Sequence, residues 1–125
     1  MNSFETVNTP ALPGVDAPLS HAVRLRGLVY CSGQVPLDRE GRLVDGDLRS
    51  QTRQVLDNLA AVLEAADSSL AGVVRTNVYL TDLADYAAMN AVYEEMLPHE
   101  PARTCIQVAA LPLGATIEID CIASC

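Results

Sequence analysis

Pro-Ala-Arg-Thr-Cys-Ile-Gln-Val-Ala-Ala-Leu-Pro-Leu-Gly-Ala-Thr-Ile-Glu-Ile, residues 101–119, is the stretch whose reading decides the fold. Residues 103–110 and 115–123 are rich in β-branched and small apolar types, as strands are. Leu111-Pro112-Leu113-Gly114 between them offers one φ-restricted residue and one permissive one, which suits a turn. Alternation puts Arg103, Cys105, Gln107 and Ala109 on one face, and Glu118 with Asp120 on one face of the second strand. Read as an antiparallel hairpin centred between Pro112 and Leu113, the stretch sets Gln107 opposite Glu118 and Cys105 opposite Asp120. One arginine, one thiol and two acids then share a face. On a half-exposed hairpin they are a solvated surface; in a buried setting they require each other or a ligand. Spacing alone leaves both readings open. Pro101-Ala102 gives Arg103 a rigid lead-in.

Upstream, Leu83, Tyr86, Asn90, Tyr93 and Leu97 repeat at helical spacing after the cap Thr81-Asp82, and Pro98 stops that helix. Asn90 is the polar member of the stripe and reads as a buried amide that pairs with loop backbone. Residues 72–80 alternate as a strand. Residues 48–66 carry a stripe from Leu48 to Leu63 behind the N-cap Asp47, with Arg49, Arg53, Asp57 and Glu64 on the solvated side. Residues 20–26 and 28–32 read as strands about Gly27. Ser32-Gly33-Gln34 reads as a strand end with a glycine bulge, or as an N–H and a hydroxyl offered to a small ligand. Residues 9–18 form a Pro-rich loop, and 4–8 a short edge strand. The order β-β-β-α-β-α-β-β predicts an α+β domain over residues 1–125, a mixed sheet with two helices on one face. The opposite face would be apolar, which is compatible with association.

The chain's 125 residues carry a net charge of −8 and no basic cluster, which disfavours nucleic-acid partners. Cysteines at 31, 105, 121 and 125, with histidines at 21 and 99, make no metal-ligand spacing, so no metal site is expected. Cys31 and Cys121 read as small buried hydrophobes. The N-terminus has neither a basic start nor an apolar core, and no run reaches membrane-spanning length; a cytoplasmic location is the expectation.

Pro101-Ala102-Arg103-Thr104-Cys105 and Ile117-Glu118-Ile119 resemble the C-terminal signature of the Rid (YjgF-type) family of enamine/imine deaminases. The likeness continues at Cys31–Pro36, Gln51–Asn58, Thr81-Asp82-Leu83 and Asn90, and covers nearly the whole chain. It implies the chorismate-mutase-like (YjgF) fold, with three chains in a trimeric barrel-like assembly and a ligand cleft at each interface.

It also implies cofactor-free hydrolysis of small 2-imino acids to 2-oxo acids and ammonia. Arg103 would grip the substrate carboxylate and Glu118 would manage the water as general acid/base. Ser32, Gly33 and the Cys105 backbone would orient the C=N carbon, and Asn90 would support them. The two long side chains, Arg103 and Glu118, would converge on one ligand from two ends. One position departs from the pattern. Leu19 stands after Pro18 where archetypal members carry a Tyr, so an apolar wall replaces a hydroxyl. The next residues, Ser20 and His21, are the candidates to replace it, although alternation puts His21 on the surface. Two other readings stay open: a non-catalytic small-carboxylate binding module, and a pathway-specific deaminase of the aminomuconate type.

Overall fold

A computed structural model describes residues 3–14 and 16–125. Met1, Asn2 and Val15 lie outside them, and with them the start of the N-terminal stretch and one residue of the 9–18 loop. Six strands form a single sheet: β1 (Glu5–Val7), β2 (Ala22–Leu25), β3 (Leu28–Gln34), β4 (Val73–Leu80), β5 (Ala102–Gln107) and β6 (Ile117–Ser124). Two helices, α1 (Leu48–Ala65) and α2 (Tyr86–Met96), cover one face. The element order is the one expected.

Local chemistry accounts for these elements. Arg26 and Gly27 both take positive φ, 52° and 80°, and reverse the chain between Leu25 and Leu28. The Asp47 carboxylate accepts from the Ser50 N–H and caps α1, and these hydrogen bonds hold its pKa below the usual carboxylate value. Val55, Leu56, Leu59, Val62 and Leu63 of α1 are buried. They pack on the strand residues whose side chains alternate toward the helices, such as Val29, Val78, Leu80, Ile117 and Ile119. Cys31 and Cys121 pair directly across β3 and β6 and are buried there as expected. The Cys121 thiol is pushed far up by its hydrogen bond with Cys31 and then by burial. On the solvated side, Arg53 of α1 reaches Glu95 of α2 at 2.8 Å.

The hairpin expected from residues 101–119 does not form. The strand order is β1-β2-β3-β6-β4-β5, so β4 lies between β5 and β6. β4, α2 and β5 make a strand–helix–strand unit, and such a crossover lays β5 parallel to β4. β6 then takes the other side of β4, antiparallel, where Ile117, Ile119, Cys121 and Ala123 are buried. The more polar β5 is left at the sheet edge. Cys105 therefore lies beside Val78 rather than opposite Asp120. Gln107 lies beside Leu80, and its side chain accepts from the Leu83 N–H instead of meeting Glu118. The helix-free face is also more polar than expected. Beside Tyr30, Ile106 and Ile122 it carries Asn77, Tyr79, Glu118 and Asp120.

Candidate functional site

Arg103 lies on β5 in register with Thr76 and, one strand further, Cys121. Thr76 and Cys121 are buried under the helices, so Arg103 points to the helix side of the sheet. There its guanidinium is clamped. Nη1 donates to Asn90 Oδ1 at 2.7 Å and Nη2 to the Tyr86 hydroxyl at 2.8 Å. The guanidinium carbon sits 4.8 Å from the Tyr93 ring centroid and 5.4 Å from that of Tyr86. Tyr93 is itself fixed by a 2.6 Å hydrogen bond to Thr76, and burial pushes its phenol pKa up. Among the described residues no carboxylate lies within ion-pair distance of Arg103. A cleft of about 810 Å³ opens beside it, lined by Asn90, Tyr93, Leu97 and Pro101 among others.

Asn90 thus departs from the expected pairing with loop backbone: its carbonyl accepts from Arg103. Tyr86 and Tyr93 were legible only as a helix stripe. The signal that they serve Arg103 lies in the spacing 86, 90, 93, which puts all three on one face of α2. Cys105, two residues along β5, is half-buried against the core. Burial raises its thiol pKa, and the nearby Arg103 charge only partly offsets this. Burial thus disfavours the thiolate, the form that reacts.

Glu118 lies on β6 in register with Tyr79, on the helix-free face. Burial and then the neighbouring Asp120 charge raise its pKa above the usual carboxylate range. Asp120 is held in turn by Asn77 at 2.8 Å and the Tyr79 hydroxyl at 3.0 Å. At Ser32-Gly33 the β3–β6 register slips by one residue, which is the expected bulge. Gly33 packs directly on the acid: a Cβ there would lie 2.6 Å from Glu118 Oε2. Ser32 is less available than expected, because its N–H donates to the His21 carbonyl and its hydroxyl to the Ser20 carbonyl. Leu19, half-exposed, joins Leu12, Leu37 and Leu113 in walling a cleft of about 550 Å³ around Glu118, Gly33 and Ser32. His21 also lines this cleft and is only 4% exposed, contrary to its expected surface position. Two hydrogen bonds draw it in: Thr9 N–H to Nδ1 and His21 N–H to Asn8 Oδ1, each 3.0 Å.

The expected residues therefore fall into two groups. Arg103, Asn90 and Cys105 sit at the β5 edge on the helix side; Glu118, Ser32, Gly33 and Leu19 sit on the opposite face. Arg103 and Glu118 are two strands and three residues apart, roughly 10 Å in each direction, with side chains that diverge. Within one chain they do not converge on a small ligand. The expected convergence fails for the same reason as the hairpin, the insertion of β4.

Comparison with known proteins bears on both groups. The family described as Endoribonuclease L-PSP matches residues 9–125. Protein mmf1, mitochondrial, of Schizosaccharomyces pombe is 43% identical over 98% of this chain and 77% of its own. Reactive Intermediate Deaminase A, chloroplastic, of Arabidopsis thaliana is 42% identical over 96% of this chain and 65% of its own. The crystal structure of YyfA from Yersinia pestis, a protein of unknown function of the conserved Rid family, superposes with a TM-score of 0.94 at 35% identity, over 98% of this chain and all of that one. The first two names place relatives in organelles. For this chain, no described helix is long and apolar enough to cross a membrane.

Proposed function

Because the chain belongs to the endoribonuclease L-PSP family, the Rid (YjgF-type) proteins, we propose that it is a deaminase that hydrolyses small 2-imino acids to 2-oxo acids and ammonia. The observation that carries this reading is the guanidinium of Arg103, clamped by Asn90 and Tyr86 and stacked on Tyr93 at an open cleft; Glu94 and Glu100 also line that cleft, but among the described residues no carboxylate pairs with Arg103. A planar fork fixed in this way suits a substrate carboxylate held by two parallel hydrogen bonds. Glu118 supplies the proton traffic: burial and the neighbouring Asp120 raise its pKa above the ordinary carboxylate value, which makes it a better proton acceptor than an exposed carboxylate. As water adds to the C=N carbon, Glu118 takes its proton. It hands that proton to the imine nitrogen, giving a carbinolamine; it then takes the remaining hydroxyl proton and passes it to the amine as the C–N bond breaks, leaving C=O and ammonia.

The two groups lie on opposite faces, so this reading needs two chains. The β5 edge of one would meet the helix-free face of the next, in the homotrimer that the family resemblance implies. The endoribonuclease activity in the family's description is not carried over, because a net charge of −8 opposes a phosphate backbone.

The test generates 2-iminopropanoate in situ with an amino-acid oxidase and follows its decay. Acceleration by the wild-type chain that is lost in Arg103→Ala is expected; no acceleration over buffer rejects the reading. A second reading, a binding module without turnover, is favoured by Leu19 and by the engagement of both Ser32 donors. Calorimetric binding of pyruvate without imine decay would select it.

A further inference from the structure

Among the polar side chains that wall the Glu118 cleft, Ser32 and Asn58 are hydrogen-bonded within the protein, whereas the half-buried Gln34 and the more deeply buried His21 keep donors to spare; His21 is the one held in place. It is 4% exposed, and its Nδ1 receives the Thr9 N–H at 3.0 Å. A backbone N–H can only donate, so Nδ1 is the bare nitrogen and the ring proton sits on Nε2. Among the described residues no group accepts from Nε2. Yet no fully enclosed side-chain nitrogen lacks a partner, so Nε2 keeps a sliver of open surface. His21 is among the residues that line the cavity holding Glu118 and Gly33, and it also lines a second cavity with Asn8, Thr9, Pro10 and Leu19. A largely buried donor of fixed tautomer that keeps open surface is placed to meet an acceptor from outside the protein.

We propose that His21 is a further positioning residue of this site, and that its Nε2–H donates to the water held by Glu118. The proposal rests on the deaminase reading. Glu118 would accept one hydrogen of the water and Nε2–H would occupy one lone pair, so the remaining lone pair is directed at the C=N carbon. The imidazole would thereby supply the polar contact that Leu19, as an apolar wall, does not. The Thr9 N–H fixes the ring through Nδ1 and the Asn8 side-chain carbonyl fixes the backbone that carries it, which is what a positioning donor needs.

The test uses the full-length protein and two readouts. In the imine-decay assay His21→Gln, which keeps an acceptor for Thr9 and a donor for the cleft, retains kcat within about threefold. His21→Phe loses both and lowers kcat about tenfold or more, with KM changed less. In ¹⁵N-histidine spectra of the wild type, His21 shows a protonated Nε2 and a bare Nδ1, and saturating pyruvate shifts the Nε2 resonance while leaving Nδ1 in place. An unmoved Nε2 resonance overturns the proposal, as does equal kcat for wild type and His21→Phe. If the wild type fails to accelerate imine decay, the deaminase reading fails, and with it the water. The pyruvate spectrum then decides whether His21 faces the ligand. The same spectrum decides if His21→Phe does not fold.

Discussion

Suppose Arg103→Ala and Glu118→Gln are made in separate chains and then co-expressed in equal amounts. Each variant alone lacks one group in every site. Removing one member of a fixed charge–ligand contact costs about 2–5 kcal/mol, so each falls at least about 30-fold. The mixture behaves differently because of the sheet. β4 separates β5 from β6, and the two side chains leave opposite faces. If a working site takes Arg103 from one chain and Glu118 from its neighbour, a site is intact when the first carries Glu118→Gln and the second Arg103→Ala. With random mixing the chance is one half times one half, so activity recovers to about a quarter of wild type, whatever the ring size. The assay is imine decay per milligram, with native mass spectrometry to confirm that mixed oligomers form. Activity that stays at the level of the single variants, although mixed oligomers are present, refutes the two-chain site.

Five further outcomes are expected. Gly33→Ala drives a methyl to 2.6 Å from Glu118 Oε2; the carboxylate must move, so kcat/KM falls by about 10²-fold while the melting temperature changes little. Arg103→Lys keeps the charge but loses the fork to Asn90 and Tyr86, and KM rises more than kcat falls. Glu118 has a pKa raised by burial and then by Asp120, so the rising limb of the pH–rate profile lies above the ordinary carboxylate value of 4.5, and Asp120→Asn moves it down. The same shift has a stability sign. The folded chain holds the proton longer than the unfolded one, so the contribution of Glu118 is full below pH 4.5 and is lost as pH rises through the raised value. Thermal melts of Glu118→Gln should therefore gain on wild type with rising pH. Asn58→Leu strips the donor from the Val35 and Leu37 carbonyls, at 3.3 and 2.9 Å, and should cost about 2–4 kcal/mol, read from the urea midpoint.

Much of the molecule is legible from residue order. Asp47, the apolar stripe to Leu63, the Arg26-Gly27 reversal and Pro98 each act within a few residues. Local chemistry therefore dictates α1, the β2–β3 hairpin and the end of α2. Arg103 and Glu118 stand out as charged residues among β-branched and small apolar neighbours in their strands. Their relation to one another is not local. A turn-like Leu-Pro-Leu-Gly permits a hairpin, but it also permits a chain that passes over β4, and what chooses is the burial available to β6. His21 shows the same limit. Alternation measures which side a residue points to along its own strand, whereas its burial comes from Asn8 and Thr9, thirteen and twelve residues away, folding back over it.

The sequence by itself determined the element order, the two helices and the residue types offered for the proposed site, because each depends on neighbours within a turn or a strand. Only the tertiary structure decided that a fourth strand would part Arg103 from Glu118 and that His21 would be drawn inside. Strand order and burial are settled by competition among distant segments for one apolar surface, and no single stretch of sequence contains that competition.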